Sequence, residues 1–257
     1  MFNVAKAHME STDLWQIVRK MPKGTILHCH LAALVDLEWL FNETIETPGM
    51  VISASAPLTS SGARDNAMLK IVHRSSWDAE TPPIWSAKYP SASLVGLKQA
   101  AESYPDGGRE GFVAWMKDRC SITQNESLQH HLGIDDVWKK LQSTFSIIGP
   151  IVYYEPILRA YMRKLFLTLL DDGVRWIEFR AVVASPFVSE GHDAPSTDVM
   201  VVAGILNDIF ESFKASEEGK EFWGMRIIWT SMRHADTASI ITGEYYQILN
   251  FRTVINE

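Results

Sequence analysis

The run Thr25-Ile26-Leu27-His28-Cys29-His30, led in by Met21-Pro22-Lys23-Gly24, limits what this chain can fold into more than any other stretch. Thr25, Ile26 and Leu27 are β-branched or apolar and directly precede two histidines, which predicts a buried strand over 25–30 with the histidines at its carboxyl end. Side chains of a strand alternate between faces, so His28 and His30 share one face and Cys29 takes the other. Two imidazoles on one face, one residue apart, can reach a single metal ion, and neutral imidazole nitrogens are standard zinc ligands. The same pair also suits a strand that simply leaves the core, because short motifs recur by accident.

Composition sets the remaining bounds. With 257 residues, 46% of them hydrophobic, the chain is long enough for a substantial core and falls in the range of one α/β domain or barrel. A net charge of −7, without a basic run, argues against nucleic acid or an anionic membrane as partner. A small neutral or cationic ligand is easier to accommodate. Cys29 and Cys120 are the only cysteines, and Cys29 lies between the two histidines, so a disulfide framework is not expected. Met1 to Lys20 holds no long uncharged apolar run, so it reads as neither a secretory signal nor a membrane span, leaving the cytoplasm as the default compartment. Val4, Leu14, Ile17 and Val18 suggest helix there, with Ser11 or Thr12 as cap.

Further along, residues 34–46 read as helix and 47–66, rich in Ser, Ala, Pro, Thr and Gly, as a surface loop with little apolar surface to bury. A strand is predicted over 67–74, loop over 75–92, and a turn at Tyr104-Pro105-Asp106-Gly107-Gly108 before a helix from Arg109 to Cys120. From Ile134, with Asp135 or Asp136 at its amino end, Val137, Leu141 and Phe145 recur at helical spacing beside Trp138, which on periodicity alone marks core. Tyr154, Leu158, Tyr161, Leu165 and Leu169 predict an amphipathic helix with Pro156 in its first turn and Gly173 at its end. A strand over Val174 to Phe179 then completes a βα unit. On that strand Glu178 and Arg180 share a face, either as an ion pair or as part of a site at a barrel mouth. Helix is expected from about Asp198 to Lys214, strand from Met225 to Thr230, and helix again from about Asp236.

Several segments together resemble the adenosine deaminase family, in its adenosine deaminase-related growth factor branch. They are Met21-Pro22-Lys23-Gly24 with Leu27-His28-x-His30, Trp138-x-x-Leu141-x-x-x-Phe145, Asp172-Gly173-Val174-Arg175-Trp176-Ile177-Glu178-Phe179-Arg180, and Met225-Arg226-Ile227-Ile228-Trp229, in the branch's order. The resemblance implies a (β/α)8 metal-dependent hydrolase barrel with His28 and His30 as zinc ligands at the end of its first strand. It implies Trp138 and Phe145 as a wall around a purine nucleoside, and an inserted region over about 47–120. The implied reaction is deamination of adenosine to inosine and ammonia through a zinc-activated water. Residues 1–257 then form a single partial domain, an amino-terminal portion with about three of eight barrel strands and an unclosed sheet prone to self-association.

The chain also departs from the family's pattern. It holds no His-Ala-Gly-Glu proton-donor motif and no late Asp-Asp pair, and His192 and His234 stand in neither. Leu31 and Ala32 occupy positions where many relatives carry an aspartate that contacts ribose, and Met232 stands where animal relatives carry a histidine that contacts substrate. Three readings follow: an incomplete or impaired zinc purine nucleoside aminohydrolase, a non-catalytic purine- or protein-binding descendant, or another metal-dependent barrel amidohydrolase.

Overall fold

A computed structural model describes residues 2–65, 67–122, 133–182, 185–196 and 198–230. In chain order they form α1 (Phe2–Glu10), α2 (Asp13–Lys20), β1 (Ile26–His30), α3 (Leu37–Glu46), β2 (Met50–Ala54), α4 (Ser61–Asp65), β3 (Leu69–His73) and β4 (Val95–Gly96). After these come α5 (Leu97–Glu102), α6 (Gly108–Arg119), α7 (Ile134–Val152), α8 (Glu155–Asp171), β5 (Trp176–Ala181), α9 (Val199–Ala215) and β6 (Gly224–Trp229). The contacts divide the chain into two units, the first drawn from 1–34, 162–184 and 198–257 and the second from 35–161 and 185–197. The expected inserted region, 47–120, falls wholly in the second.

In the first unit β1, β5 and β6 make a parallel sheet in the order β1-β5-β6, with His30 opposite Arg180 and Glu178 opposite Arg226. Alternation along β5 puts Ile177, Phe179 and Ala181 on the buried side, each at 0–1% exposure, while Glu178 and Arg180 take the other face. Burial below the sheet is aromatic: the Phe166 ring lies 4.8 Å from Phe222 and 5.0 Å from Phe213. Gly173 ends α8 at φ +79°, where its N–H donates to Leu170 O and that of Val174 to Leu169 O, at 3.0 and 2.8 Å. Asp198 caps α9 by accepting from Met200 N, and Thr12 caps α2 by accepting from Trp15 N.

Two expectations for this unit change. The first strand is not buried: β1 borders β5 alone among the described strands, and Leu27 is 59% exposed. Glu178 pairs with Arg226 of the neighbouring strand at 3.2 Å rather than with Arg180, because residues two apart on one strand diverge more than register partners do. Leu14, Ile17 and Val18 stand exposed on α2. The stretches Ser231-Met232-Arg233 and His234, and the helix expected from Asp236, lie outside the described residues.

The second unit is built on an antiparallel sheet, β3-β2-β4. All five residues of central β2 are buried, so the loop expected over 47–66 is instead interrupted by the best-covered strand of the unit. The helix expected from 34 begins at Leu37, since Asp36 accepts from Trp39 N at 3.0 Å and Leu31–Ala33 form a 3-10 turn. Beside the sheet, Trp85, Tyr104, Phe112 and Trp115 form an aromatic cluster with the Trp85 and Tyr104 rings 5.0 Å apart. The loop over 75–92 is therefore irregular but anchored, with Ile84 and Tyr89 buried and Trp85 Nε1 donating to Ala100 O. Gly107 (φ +102°) and Gly108 (φ +57°) make the turn before α6. Gly111 on α6 packs so closely that a Cβ would stand 2.0 Å from Asp106 O.

Among the described residues the fold is thus mixed α/β with a three-stranded parallel sheet and no closed barrel, and no described helix is long and apolar enough to cross a membrane.

Candidate functional site

His28 and His30 leave β1 on one face, with ring centres 5.7 Å apart and planes tilted by 49°. Both are exposed, whereas Cys29 between them is half-buried and donates its thiol hydrogen to Glu178 O at 3.3 Å. The two-residue period expected from sequence therefore holds from His28 to His30, whereas the pairing with β5 is irregular between Ile26 and Cys29, and Leu27 and His28 are both exposed. An imidazole bound to zinc at ~2.0–2.1 Å has its ring centre about 3 Å from the ion, so two tetrahedral ligands have centres about 5 Å apart. The observed separation suits a shared ion with little adjustment of the side chains. Catalytic zinc takes three protein ligands plus water, and the described residues bring together no group of three His, Cys, Asp or Glu side chains. Among the described residues the pair therefore stands as two candidate donors without a third.

The register extends this polar face across the sheet. Arg180, the partner of His30, has a buried Nη1 with no hydrogen-bond partner, and Glu178 and Arg226 form the ion pair next to it. Burial pushes the Cys29 thiol above its ordinary pKa, opposed by the Arg180 charge. A sheet face with two imidazoles and two guanidiniums is not packed as core, where such groups are rarely found.

Trp138 and Phe145 lie on α7 in the second unit, 57% and 45% exposed. Val137 and Leu141 are 43% and 42% exposed, so the whole stripe is uncovered and the core assignment from periodicity does not hold. The helix splits along its length: Ile147, Ile148, Ile151 and Val152 are buried at its carboxyl end, while the amino-terminal continuation of its apolar side faces outward. Leu31, directly after His30, is 2% exposed and serves packing.

A polar cluster of the second unit had no motif to reveal it. His73 Nδ1 stands 3.3 Å from Asp193 Oδ1, and its ring stacks on Tyr154 with centres 4.5 Å apart. Asp193 also accepts from Ser75 N and Oγ at 2.6 and 2.5 Å, which with the nearby His73 and Arg74 holds its carboxyl below the ordinary range. The opposite edge of the imidazole lies against Gly49, where a Cβ would fall 2.5 Å from Nε2. With both edges occupied, the histidine braces the 185–196 loop against β3. His192 donates from Nδ1 to Glu190 O at 3.0 Å, and its own carbonyl oxygen lies 3.1 Å from His73 Nδ1.

No protein family model matches the chain. It is similar to an adenosine deaminase of Lutzomyia longipalpis, 25% identical over 232 residues that cover 90% of this chain and 41% of that protein. Adenosine deaminase 2 of Sus scrofa is 25% identical over 93% of this chain and 43% of its own length. Adenosine deaminase 2 of Homo sapiens is 23% identical over 93% and 42%. The chain spans about two-fifths of the length of these curated relatives.

Proposed function

We propose that this chain, a homologue of the adenosine deaminases along nine-tenths of its length, carries the zinc-holding histidine pair of a purine nucleoside aminohydrolase on a (β/α)8-type barrel. The observation that carries the reading is the placement of His28 and His30 on one face at the end of a strand in a parallel sheet, with their rings 5.7 Å apart. Ligands of α/β folds gather at the carboxyl ends of such strands. In this reading His28 and His30 hold zinc. Bound there, zinc supplies a Lewis acid that brings water toward ionisation near neutral pH. Trp138 and Phe145 offer exposed aromatic faces on which a purine can stack.

A second reading, purine binding with little or no turnover, is favoured by Leu31. That side chain is buried where many relatives place a ribose-contacting aspartate, so the position contributes apolar packing and no hydrogen bond to a sugar.

Zinc analysis of the purified chain beside a His28→Ala/His30→Ala variant tests the assignment, with adenosine deamination followed in the same samples. We expect about one zinc per chain, lost in the variant. Equal zinc in both proteins, or none in the unmodified chain, rejects the ligand pair whatever the turnover. Deamination in the unmodified chain selects the catalytic reading, and zinc without deamination the second one.

The same reading carries self-association. Among the described strands β1 and β6 border the sheet, and the exposed apolar residues of α2 and α7 add surface that gains from being covered. Sedimentation equilibrium is expected to give a mass above the 29.0 kDa of one chain, rising with concentration. A constant monomer mass would count against it.

A further inference from the structure

The second unit contains a cleft of about 620 Å³ between the amino end of β3, the carboxyl half of α6, and α7. It is separate in sequence from the histidine pair, and it uses the side of α7 opposite the exposed stripe. Lys139, Lys140, Ser143, Ser146 and Ile147 line it from α7. At 3.6 residues per turn these fall on one side of the helix, and Val137, Trp138, Leu141 and Phe145 on the other. A surface helix lying on its own domain ordinarily turns apolar residues inward and lysines outward. In the amino-terminal half of α7 the order is reversed, with the lysines at the cleft and the apolar residues 42–57% exposed.

Arg119 of α6 adds a third cation to the lining, against the carboxylates of Asp65 and Asp118, in a chain whose net charge is −7. Its Nη1 donates to the carbonyls of Arg64 and Asp65 and its Nη2 to that of Ala67, so neutral oxygens receive these N–H groups. Burial lowers its pKa, with Cys120 and Asp65 opposing. The floor is apolar: Leu69, Trp115 and Ile147 are 9%, 8% and 3% exposed. Trp115 Nε1 is buried without a hydrogen-bond partner, an arrangement that costs free energy unless an acceptor is supplied.

Apolar floor and cationic rim together define a ligand class. Concave sites with hydrophobic walls and a few convergent polar groups bury small molecules, and ammonium groups at the rim select for negative charge. We propose that this cleft binds a small amphipathic anion, with its aromatic or acyl body on Leu69, Trp115 and Ile147 and its carboxylate or phosphate held by Lys139 and Lys140.

Titration calorimetry of the 257-residue chain with 1-naphthoate, 1-naphthyl phosphate and uncharged 1-naphthalenemethanol tests this. At least one of the two anions is expected to bind at least about tenfold more tightly than the alcohol, in line with charge-assisted contacts, and the stronger of the two identifies the head group. A Lys139→Gln/Lys140→Gln variant is expected to lose that preference, whereas Val137→Ser/Leu141→Ser, on the opposite side of α7, keeps it. Equal binding of alcohol and anions, no binding of any of the three, or an unchanged preference in the lysine variant overturns the proposal.

Discussion

Replacing Phe166 by alanine is expected to lower the unfolding free energy of the first unit by about 3–5 kcal/mol. Phe166 is fully buried on α8, and its ring meets Phe213 of α9 at 5.0 Å and Phe222, just before β6, at 4.8 Å. One side chain therefore ties together three segments that are far apart in sequence. Truncation removes the transfer free energy of the ring and leaves a cavity that the two neighbouring phenylalanines, themselves 4% and 0% exposed, have little room to fill. Trp223 supplies the control. It adjoins Phe222 but is 69% exposed, so Trp223→Ala is expected to change stability by no more than about 0.5 kcal/mol. Urea unfolding followed by circular dichroism checks both, and a Phe166→Ala loss below about 1 kcal/mol would mean that the cluster is not the centre of the unit.

The same aromatic centre explains what was legible in the sequence. Tyr154, Leu158, Tyr161, Leu165 and Leu169 recur at intervals of three or four and are all buried, because α8 is covered along its inner side and its pattern has one cause. β5, α9 and β6 were legible for a similar reason: strand and helix periods alternate there, separated by glycine or a capping aspartate. β2 was not legible. Pro48, Gly49, Ser55 and Pro57 dominate the composition around it, and five residues are too few to shift an average. Its strand character comes from pairing on both edges, Ile52 with Ile71 and with Val95, which is tertiary information. The six-residue α5 was missed because it is short and follows Gly96, which has no side chain to cap it.

The site divides along the same line. That His28 and His30 share a face follows from the two-residue period of a strand, and sequence suffices for that. Their exposure does not follow, because it depends on what borders β1, and neither do the pairing of Glu178 with Arg226 or the Asp193 brace on His73, which join residues 48 and about 120 positions apart. On α7 periodicity identified the stripe correctly and its environment wrongly. A helical repeat states which residues lie on one side, and says nothing of whether that side meets the core, a ligand or another chain.

Cys120 gives the second large effect, a thiol about a thousandfold less reactive in the folded chain than in the unfolded one. It sits at the carboxyl end of α6, 8% exposed, with Arg119 and Lys140 near enough to favour its thiolate. Burial outweighs both cations and pushes the pKa from 9.0 up to about 12. Alkylation proceeds through the thiolate, so at pH 8 the reactive fraction falls from roughly one in ten to roughly one in ten thousand. Cys29, raised in the same direction but only half-buried, should label at a rate between these limits. Mass spectrometry after timed iodoacetamide labelling, with and without urea, measures both sites. The linkage sign is fixed: a thiol whose pKa is higher folded than unfolded contributes stability that is present below pH 9 and is lost as the pH rises toward 12. A Cys120→Ala variant should lack this part of the alkaline loss while carrying the cost of a small cavity at neutral pH. Labelling of native Cys120 at the unfolded rate would show instead that the end of α6 is open to solvent, and that the neighbouring Arg119 and Lys140 set the thiol's chemistry in place of burial.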